Sequence, residues 1–345
     1  MNIIQDADLS NYSTMRLGGK VHYVTEVISR MEIEEAVSWA VENRMPPLMI
    51  GGGSNIFWRD EGFDGLLIIN KMMRYQDFAE DEQNHYLTIG AGENWDSVVA
   101  RSVQSGLSGI EALSLIPGTA GATPIQNVGA YGQEIADVLV SVEAYDLHTR
   151  SFLTIPASDC AFGYRTSRFK TTDRDRFFIS SLTIHLMLQD PQPPFYRALA
   201  EYFAVHSIKT YTPQVVRDAV IQIRSSKLPD PAKIANNGSF FANPIVDIGI
   251  MTQIQSDYPD IPHWPVSTDD TSHVKIPAAW LIEQAGYKDF HDQLTGMATW
   301  KTQPLVLINE HARSTADLLA FKKRIIDAVD TKFQITLEQE PELLP

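Results

Sequence analysis

Apolar positions along the first third of the chain switch between two periods. Residues 21–27 (VHYVTEV) alternate and are rich in β-branched side chains, which predicts a strand. Residues 32–44 place Ile33, Val37 and Ala40 or Val41 on one face, a helical spacing that Pro46 and Pro47 stop. Residues 48–50 (LMI) predict a short buried strand running into Gly51-Gly52-Gly53-Ser54-Asn55. Further strands are predicted at 64–70 and 86–89, and a helix at 94–104 with Asn94 as its N-cap. Later, 138–146 and 152–155 predict a strand pair and 175–187 a long strand. Residues 191–194 (PQPP) read as a loop near a domain boundary. Val215, Val216, Ala219, Val220 and Ile223 fall at helical spacing, with Thr212 as N-cap and Pro213 in the first helical position. Helices over 278–284, closed by Gly286, and over 314–333 follow, with a strand at 305–309 between them. The tail, 335–337 and then Glu338, Glu340 and Glu342, reads as strand-like and acidic. The mixture predicts an α+β protein, and 345 residues suit two or three domains.

One stretch fits neither period. Residues 112–133 (ALSLIPGTAGATPIQNVGAYGQ) carry no charge. A membrane span would be almost wholly apolar and would not hold Pro117, Pro124, Gln126, Asn127 and four glycines. Gly118, Gly121, Gly129 and Gly132 instead let backbone approach a ligand closely. Neutral, glycine-rich backbone with free N–H groups suits an anionic diphosphate. The cluster at 51–55 also follows a strand, as a phosphate-binding turn should. Neither segment is a P-loop, and Gly90-Ala91-Gly92 is not completed to a dinucleotide fingerprint, because position 95 is Trp95. Two such segments point to one shared cofactor rather than to two unrelated tight turns.

Charge and cysteine usage narrow the class. The formal net charge is −15 with a pI near 5.0, so duplex nucleic acid is a disfavoured partner. The single cysteine, Cys160, excludes an intramolecular disulfide and reads as a buried small hydrophobe. The nine histidines show no metal-ligand spacing, so no metal is expected. No secretory leader is visible in MNIIQDADLS, and the expected compartment is the cytoplasm.

Two further motifs carry chemistry. In FGYRTSRFK (162–170), Arg165 and Arg168 lie three apart, with Tyr164 before the first. A planar guanidinium beside an aromatic suits a carboxylate or phosphate, and a surface strand with scattered charge is the alternative. In NNGSFFANP (236–244), Ser239 sits between Gly238 and two bulky aromatics. It is either a proton donor on a tight turn or a turn serine with Phe240 and Phe241 in the core.

These segments, with SSKLPDP (225–231), KIPAAWLIEQAG (275–286) and LVLINE (305–310), together resemble the UDP-N-acetylenolpyruvoylglucosamine reductase family over nearly the whole chain. The resemblance implies a PCMH-type FAD-binding module plus a separate α+β substrate-binding domain. It implies FAD-binding subdomains at 1–70 and 71–210, a substrate domain at 211–330, and a tail, 331–345, returning to the active site. It implies noncovalent FAD, NADPH as hydride donor, and reduction of an enolpyruvyl UDP-sugar to UDP-N-acetylmuramate for peptidoglycan. The protein would act as a monomer, without nucleic acid or membrane insertion. The alternatives are another PCMH-type FAD oxidoreductase and a silent nucleotide-sugar binding protein.

Carried over residue by residue, Arg165 matches the arginine that stabilises the enolate, with Glu340 as its partner, and Ser239 the serine that protonates it. Glu340 would act in its acid form, since an ionised carboxylate would repel the enolate. Counted from Phe333, Glu340 is the match for the tail carboxylate and Glu342 the alternative. The family motif continues there with an arginine, whereas this chain ends LEQEPELLP. The expected FAD residues are Gly51, Gly52, Gly53, Ser54, Asn55, Pro117, Gly118, Thr119, Gly121, Ala122, Thr123, Pro124, Asn127, Gly129, Tyr131, Gly132 and Arg224. The expected substrate residues are Tyr164, Tyr196 (the tyrosine loop of the type I enzymes), Lys227, Asn243 and Gln303.

Overall fold

The computed structural model describes residues 1–266 and 270–345. They form two compact units, neither continuous in sequence. The first takes Met1–Ala7, Val21–Gly53 and Phe63–Ser226; the second takes Asp8–Lys20, Ser54–Gly62 and Lys227–Pro345.

The first unit holds two larger sheets. In one the strand order is Ile3–Asp8, Lys20–Val27, Phe63–Asn70, Pro47–Ile50, and Phe63–Asn70 runs parallel to both its neighbours. Lys20–Val27 and Pro47–Ile50 point the same way, which requires a crossover, and the helix Arg30–Glu42 supplies it. The Ser29 side chain caps that helix by accepting from the Glu32 N–H, while Glu32 reaches back to the N–H of Ile28. Its Ile33, Ala36, Val37 and Ala40 pack with Leu66 and Ile68, and with Tyr145 and Phe178 of the second sheet. Phe63–Asn70 is therefore covered on both faces, which is why LLII carries no polar alternation. The second sheet is antiparallel, in the order Ser151–Pro156, Leu139–Asp146, Phe177–Met187, Asn84–Gly90, Tyr75–Ala79. The helix Trp95–Gln104, capped by Asn94, packs Trp95, Val98, Val99 and Val103 into its core.

The helix Pro213–Lys227 begins with Thr212 accepting from the Val215 N–H. Its Val216, Ala219, Val220 and Ile223 pack with Ala112, Leu199 and Phe203, all in the first unit. The 210/211 boundary expected from sequence thus differs from the division seen. The helix's apolar stripe is buried against residues that precede it.

In the second unit a four-stranded sheet runs Ala235–Ser239, Gln303–Asn309, Met297–Trp300, His291–Asp292. Ala278–Gln284 and Thr315–Phe333 contribute Leu281, Ile282, Leu318, Phe321, Ile325 and Val329 to one core with Leu305 and Leu307. Met15, Leu17 and Phe57 join the same core, so the short segments 8–20 and 54–62 are built into this unit. Asp60 seals the arrangement by accepting from the N–H groups of Thr315 (2.6 Å) and Ala316 (2.9 Å) at the start of the long helix. The tail departs from expectation. Residues 335–337 form no strand, because Ile335 and Leu337 are held by side-chain packing, and the ladder begins later, at Glu342–Leu344, parallel to Ile56–Trp58.

Candidate active site

The two glycine segments meet within the first unit. A Cβ on Gly51 would lie 2.0 Å from Thr119 Oγ1, and one on Gly52 would lie 3.1 Å from the Gly118 Cα. Gly53 (φ 67°) and Gly118 (φ 117°) adopt backbone that L side chains rarely reach. The neutral run is anchored by backbone: Trp95 N–H to Gly118 O, Ala120 N–H to Glu93 O and Gly121 N–H to Ala91 O, at 3.1, 2.9 and 3.0 Å. The Gly90-Ala91-Gly92 triplet is thus a docking edge for the run. Side chains on Gly90 and Gly92 would strike the Met72 carbonyl oxygen and the Lys71 backbone. Thr119 Oγ1 is buried and has no hydrogen-bond partner among the described residues. A hydroxyl sealed without a partner is costly, so its place beside Gly51 marks a position where a ligand acceptor would fit.

Downstream, the run is tied to Arg165. Asn127 donates to Glu134 Oε2 (2.7 Å) and to Gly163 O (3.2 Å), and its Oδ1 accepts from the Ala136 N–H. Arg165 donates to Gly129 O at 2.7 Å and lies 5.4 Å from the Tyr164 ring centroid. Its backbone φ of 55° is left-handed, within a turn whose Gly163 and Thr166 exchange backbone hydrogen bonds. Left-handed backbone at a non-glycine residue costs about 1–3 kcal/mol, and such strain clusters at functional positions. Arg168 is different. It donates to Asp173 (2.7 Å) and to Asp159 O (3.0 Å), which is a structural use.

Tyr131, Tyr196 and Arg224 form a third cluster. The two tyrosine rings meet edge-on at 5.8 Å, and the Arg224 charge acts on the Tyr131 phenol. Burial pushes the Tyr131 phenol up, against the opposing Arg224 charge, and burial lowers Arg224 itself. Arg224 Nε is buried without a hydrogen-bond partner among the described residues. Below them Arg217 binds Asp96 through two nitrogens, 2.7 and 3.0 Å, and also Ser114. Burial alone would raise the Asp96 carboxyl. The Arg217 hydrogen bond, the Leu115 N–H and the charges of Arg217 and Arg224 together hold it below its ordinary value.

In the second unit, Ser239 ends the strand Ala235–Ser239, exposed, after Gly238 with φ 70°. Phe240 and Phe241 are buried, as the core reading of that motif expects. Phe240 O accepts from the Glu340 N–H (2.9 Å), and Asn55 O accepts from the Glu342 N–H (2.9 Å). Both tail carboxylates are half-buried, whereas Glu338 is exposed. The tail therefore runs beside the Ser239 turn and on to residue 55, with Glu340 next to the former and Glu342 next to the latter.

Two polar residues here escaped the sequence reading. Asn237 is 4% exposed and donates to Ile56 O (2.9 Å), Ser54 O (3.4 Å) and Thr14 Oγ1 (3.2 Å), while its Oδ1 has no hydrogen-bond partner among the described residues. Lys322 donates to Gln339 Oε1 at 3.0 Å, and burial lowers its ammonium below the ordinary lysine value. Its position beside the Leu318, Phe321, Ile325 stripe was the available signal.

The expected substrate residues fare differently. Gln303 Oε1 is buried without a hydrogen-bond partner among the described residues. Asn243 Oδ1 accepts from the Ala278 N–H and so caps a helix. Lys227 is exposed, and its carbonyl accepts from Thr302. Among the described residues no His, Cys, Asp and Glu group could hold a metal, and no helix is long and apolar enough to cross a membrane.

Residues 21–149 match the FAD binding domain family, and 230–344 match the C-terminal domain of UDP-N-acetylenolpyruvoylglucosamine reductase. The reductase of that name from Ralstonia nicotianae is 39% identical over 336 residues, covering 96% of both chains. The chain belongs to the UDP-N-acetylenolpyruvoylglucosamine reductase family. The reductase from Amoebophilus asiaticus is 36% identical over the full length of both chains. The solved reductase from Thermus caldophilus, 20% identical, aligns over the whole of both chains with a TM-score of 0.68 and so shares the fold. The family's PCMH-type FAD-binding module and C-terminal domain account for the α+β architecture.

Within this family frame the expected residues sort by unit. Gly51–Gly53, 117–132, Tyr164, Arg165, Tyr196 and Arg224 lie in the first; Ser54, Asn55, Lys227, Ser239, Asn243, Gln303 and Glu340 lie in the second.

Proposed function

We propose that this protein reduces the enolpyruvyl ether of UDP-N-acetylglucosamine to UDP-N-acetylmuramate, using noncovalent FAD and NADPH, in the cytoplasm and as a monomer. Family membership across 96% of the chain carries this reading. The residues present fit the cofactor. Gly51 and Gly52 face Gly118 and Thr119 with no room for side chains, and orphaned donors stand ready on Thr119 and Arg224. Gly51–Gly53, Ser54, Asn55 and the run from Pro117 to Gly132 would hold the FAD. When bound, FAD supplies hydride transfer.

This chain's own residues then act on charge and protons. Arg165, fixed by Gly129 O and the Tyr164 ring, holds its guanidinium for the charge that develops on the substrate carboxylate. A cation fixed in advance stabilises the transition state more than the ground state. Ser239 Oγ, on its glycine-led turn, donates the proton to the substrate carbon. A tail carboxylate, Glu340 or its neighbour Glu342, partners the developing enolate. Tyr196, packed on Tyr131, closes over the UDP diphosphate, and Tyr164, Lys227, Asn243 and Gln303 complete the substrate contacts.

Incubation with the enolpyruvyl UDP-sugar and NADPH tests this. Equimolar NADPH loss and UDP-N-acetylmuramate formation are expected. NADPH oxidation by oxygen alone, with the sugar unchanged, would favour a different FAD oxidoreductase.

A further inference from the structure

Two side chains close the neutral run at its ends, and neither has a role in the reaction above. Glu111 immediately precedes the run, and Gln133 is its last residue. Glu111 is only 2% exposed. Its carboxylate accepts from the Gly109 N–H at 2.6 Å and from the Gln133 side-chain amide at 2.9 Å. The Gln133 carbonyl oxygen then accepts from the N–H of Ala112, the first residue of the run, at 2.8 Å. One carboxylate–amide pair thus joins the ends of a loop of twenty-two residues. Between those ends lie Gly118, Thr119, the left-handed Asn127 and Tyr131, and Gly132.

We propose that Glu111 and Gln133 are positioning residues that hold the neutral run in its FAD-binding shape and thereby set cofactor affinity. The proposal rests on the reading of this run as the flavin cradle. A loop pinned at both ends surrenders less freedom when a ligand binds, so the clamp lowers the ordering cost of binding.

The hydrogen-bond chemistry makes the clamp testable. The Gly109 and Ala112 N–H groups each need an acceptor, and the link between residues 111 and 133 needs one donor and one acceptor. Glutamate at 111 and glutamine at 133 satisfy all three. Glu111→Gln puts two amide donors face to face once both outer acceptors are used. Gln133→Glu puts two carboxylates face to face. The reversed pair, Glu111→Gln with Gln133→Glu, satisfies all three again.

The experiment follows flavin release on dilution of the four holoproteins, together with melting at saturating FAD. Each single variant is expected to bind FAD roughly tenfold or more weakly, and the reversed pair to recover most of the loss. Singles that hold FAD as tightly as the parent, or a reversed pair no better than the singles, overturn the proposal. Lower melting with unchanged FAD affinity also overturns it, by assigning the pair to fold stability alone. A parent protein that carries no FAD overturns the cradle reading itself.

Discussion

Arg165 and Arg168 are one helical turn's distance apart in sequence and chemically equivalent, yet only Arg165 has left-handed backbone and binds the neutral run. That contrast could not be read from spacing, because it depends on which partner each guanidinium finds: Gly129 O for one, Asp173 for the other. Ser239 is legible as a turn residue, and nothing local separates that role from the proposed proton donation. Ser239→Ala should leave NADPH reduction of the flavin fast and slow reoxidation by the enolpyruvyl sugar by about 100-fold or more. Stopped-flow absorbance resolves the two halves, and equal slowing of both would remove Ser239 from proton donation. Gly51→Ala should yield folded protein depleted of flavin, read from the absorbance ratio after purification, because its Cβ meets Thr119 at 2.0 Å. Cys160, buried with its thiol pushed up to about 11 by desolvation, should resist thiol reagents until the protein unfolds.

At the scale of elements, hydrophobic period located five of the seven α-helices among the described residues but fewer than half of the strands, the short ones carrying too few residues to show a period, and the caps Asn94, Thr212 and Ser314 behave as capping chemistry requires. The tail failed because apolar alternation at Ile335 and Leu337 is satisfied by packing, with no partner strand. Its actual partner, Ile56–Trp58, lies far away in sequence. Ser314→Ala removes the hydroxyl half of a capping box, leaving Asp317 on the backbone N–H of residue 314, and should cost about 1 kcal/mol in chemical denaturation. The antiparallel sheet carries a second test. Asp146, at the end of Leu139–Asp146, is held at about 2 by its hydrogen bond to Arg176, despite burial. A depressed carboxyl contributes its full stability above its ordinary value of 3.8, and loses it as pH falls through about 2. Arg176→Met should therefore cost about 2 kcal/mol at neutral pH. That difference should shrink in acid denaturation below the ordinary carboxyl range.

For the whole molecule, the order of motifs along the chain carried the family, while the division into units was not legible. Segments 8–20 and 54–62 belong with the C-terminal part because Met15, Leu17 and Phe57 enter its core and Asp60 caps a helix that begins at Thr315. Contacts between residues so distant leave no trace in local period or composition. The neutral run stands out in the sequence for the opposite reason: its glycines and its lack of charge are local. The proposed reaction, a flavin reduced by one substrate and reoxidised by another, shows in colour. Purified protein should be yellow, bleach on anaerobic NADPH, and regain its yellow only when the enolpyruvyl UDP-sugar is added. A colourless protein, or a bleached flavin that this sugar leaves unchanged, would contradict it.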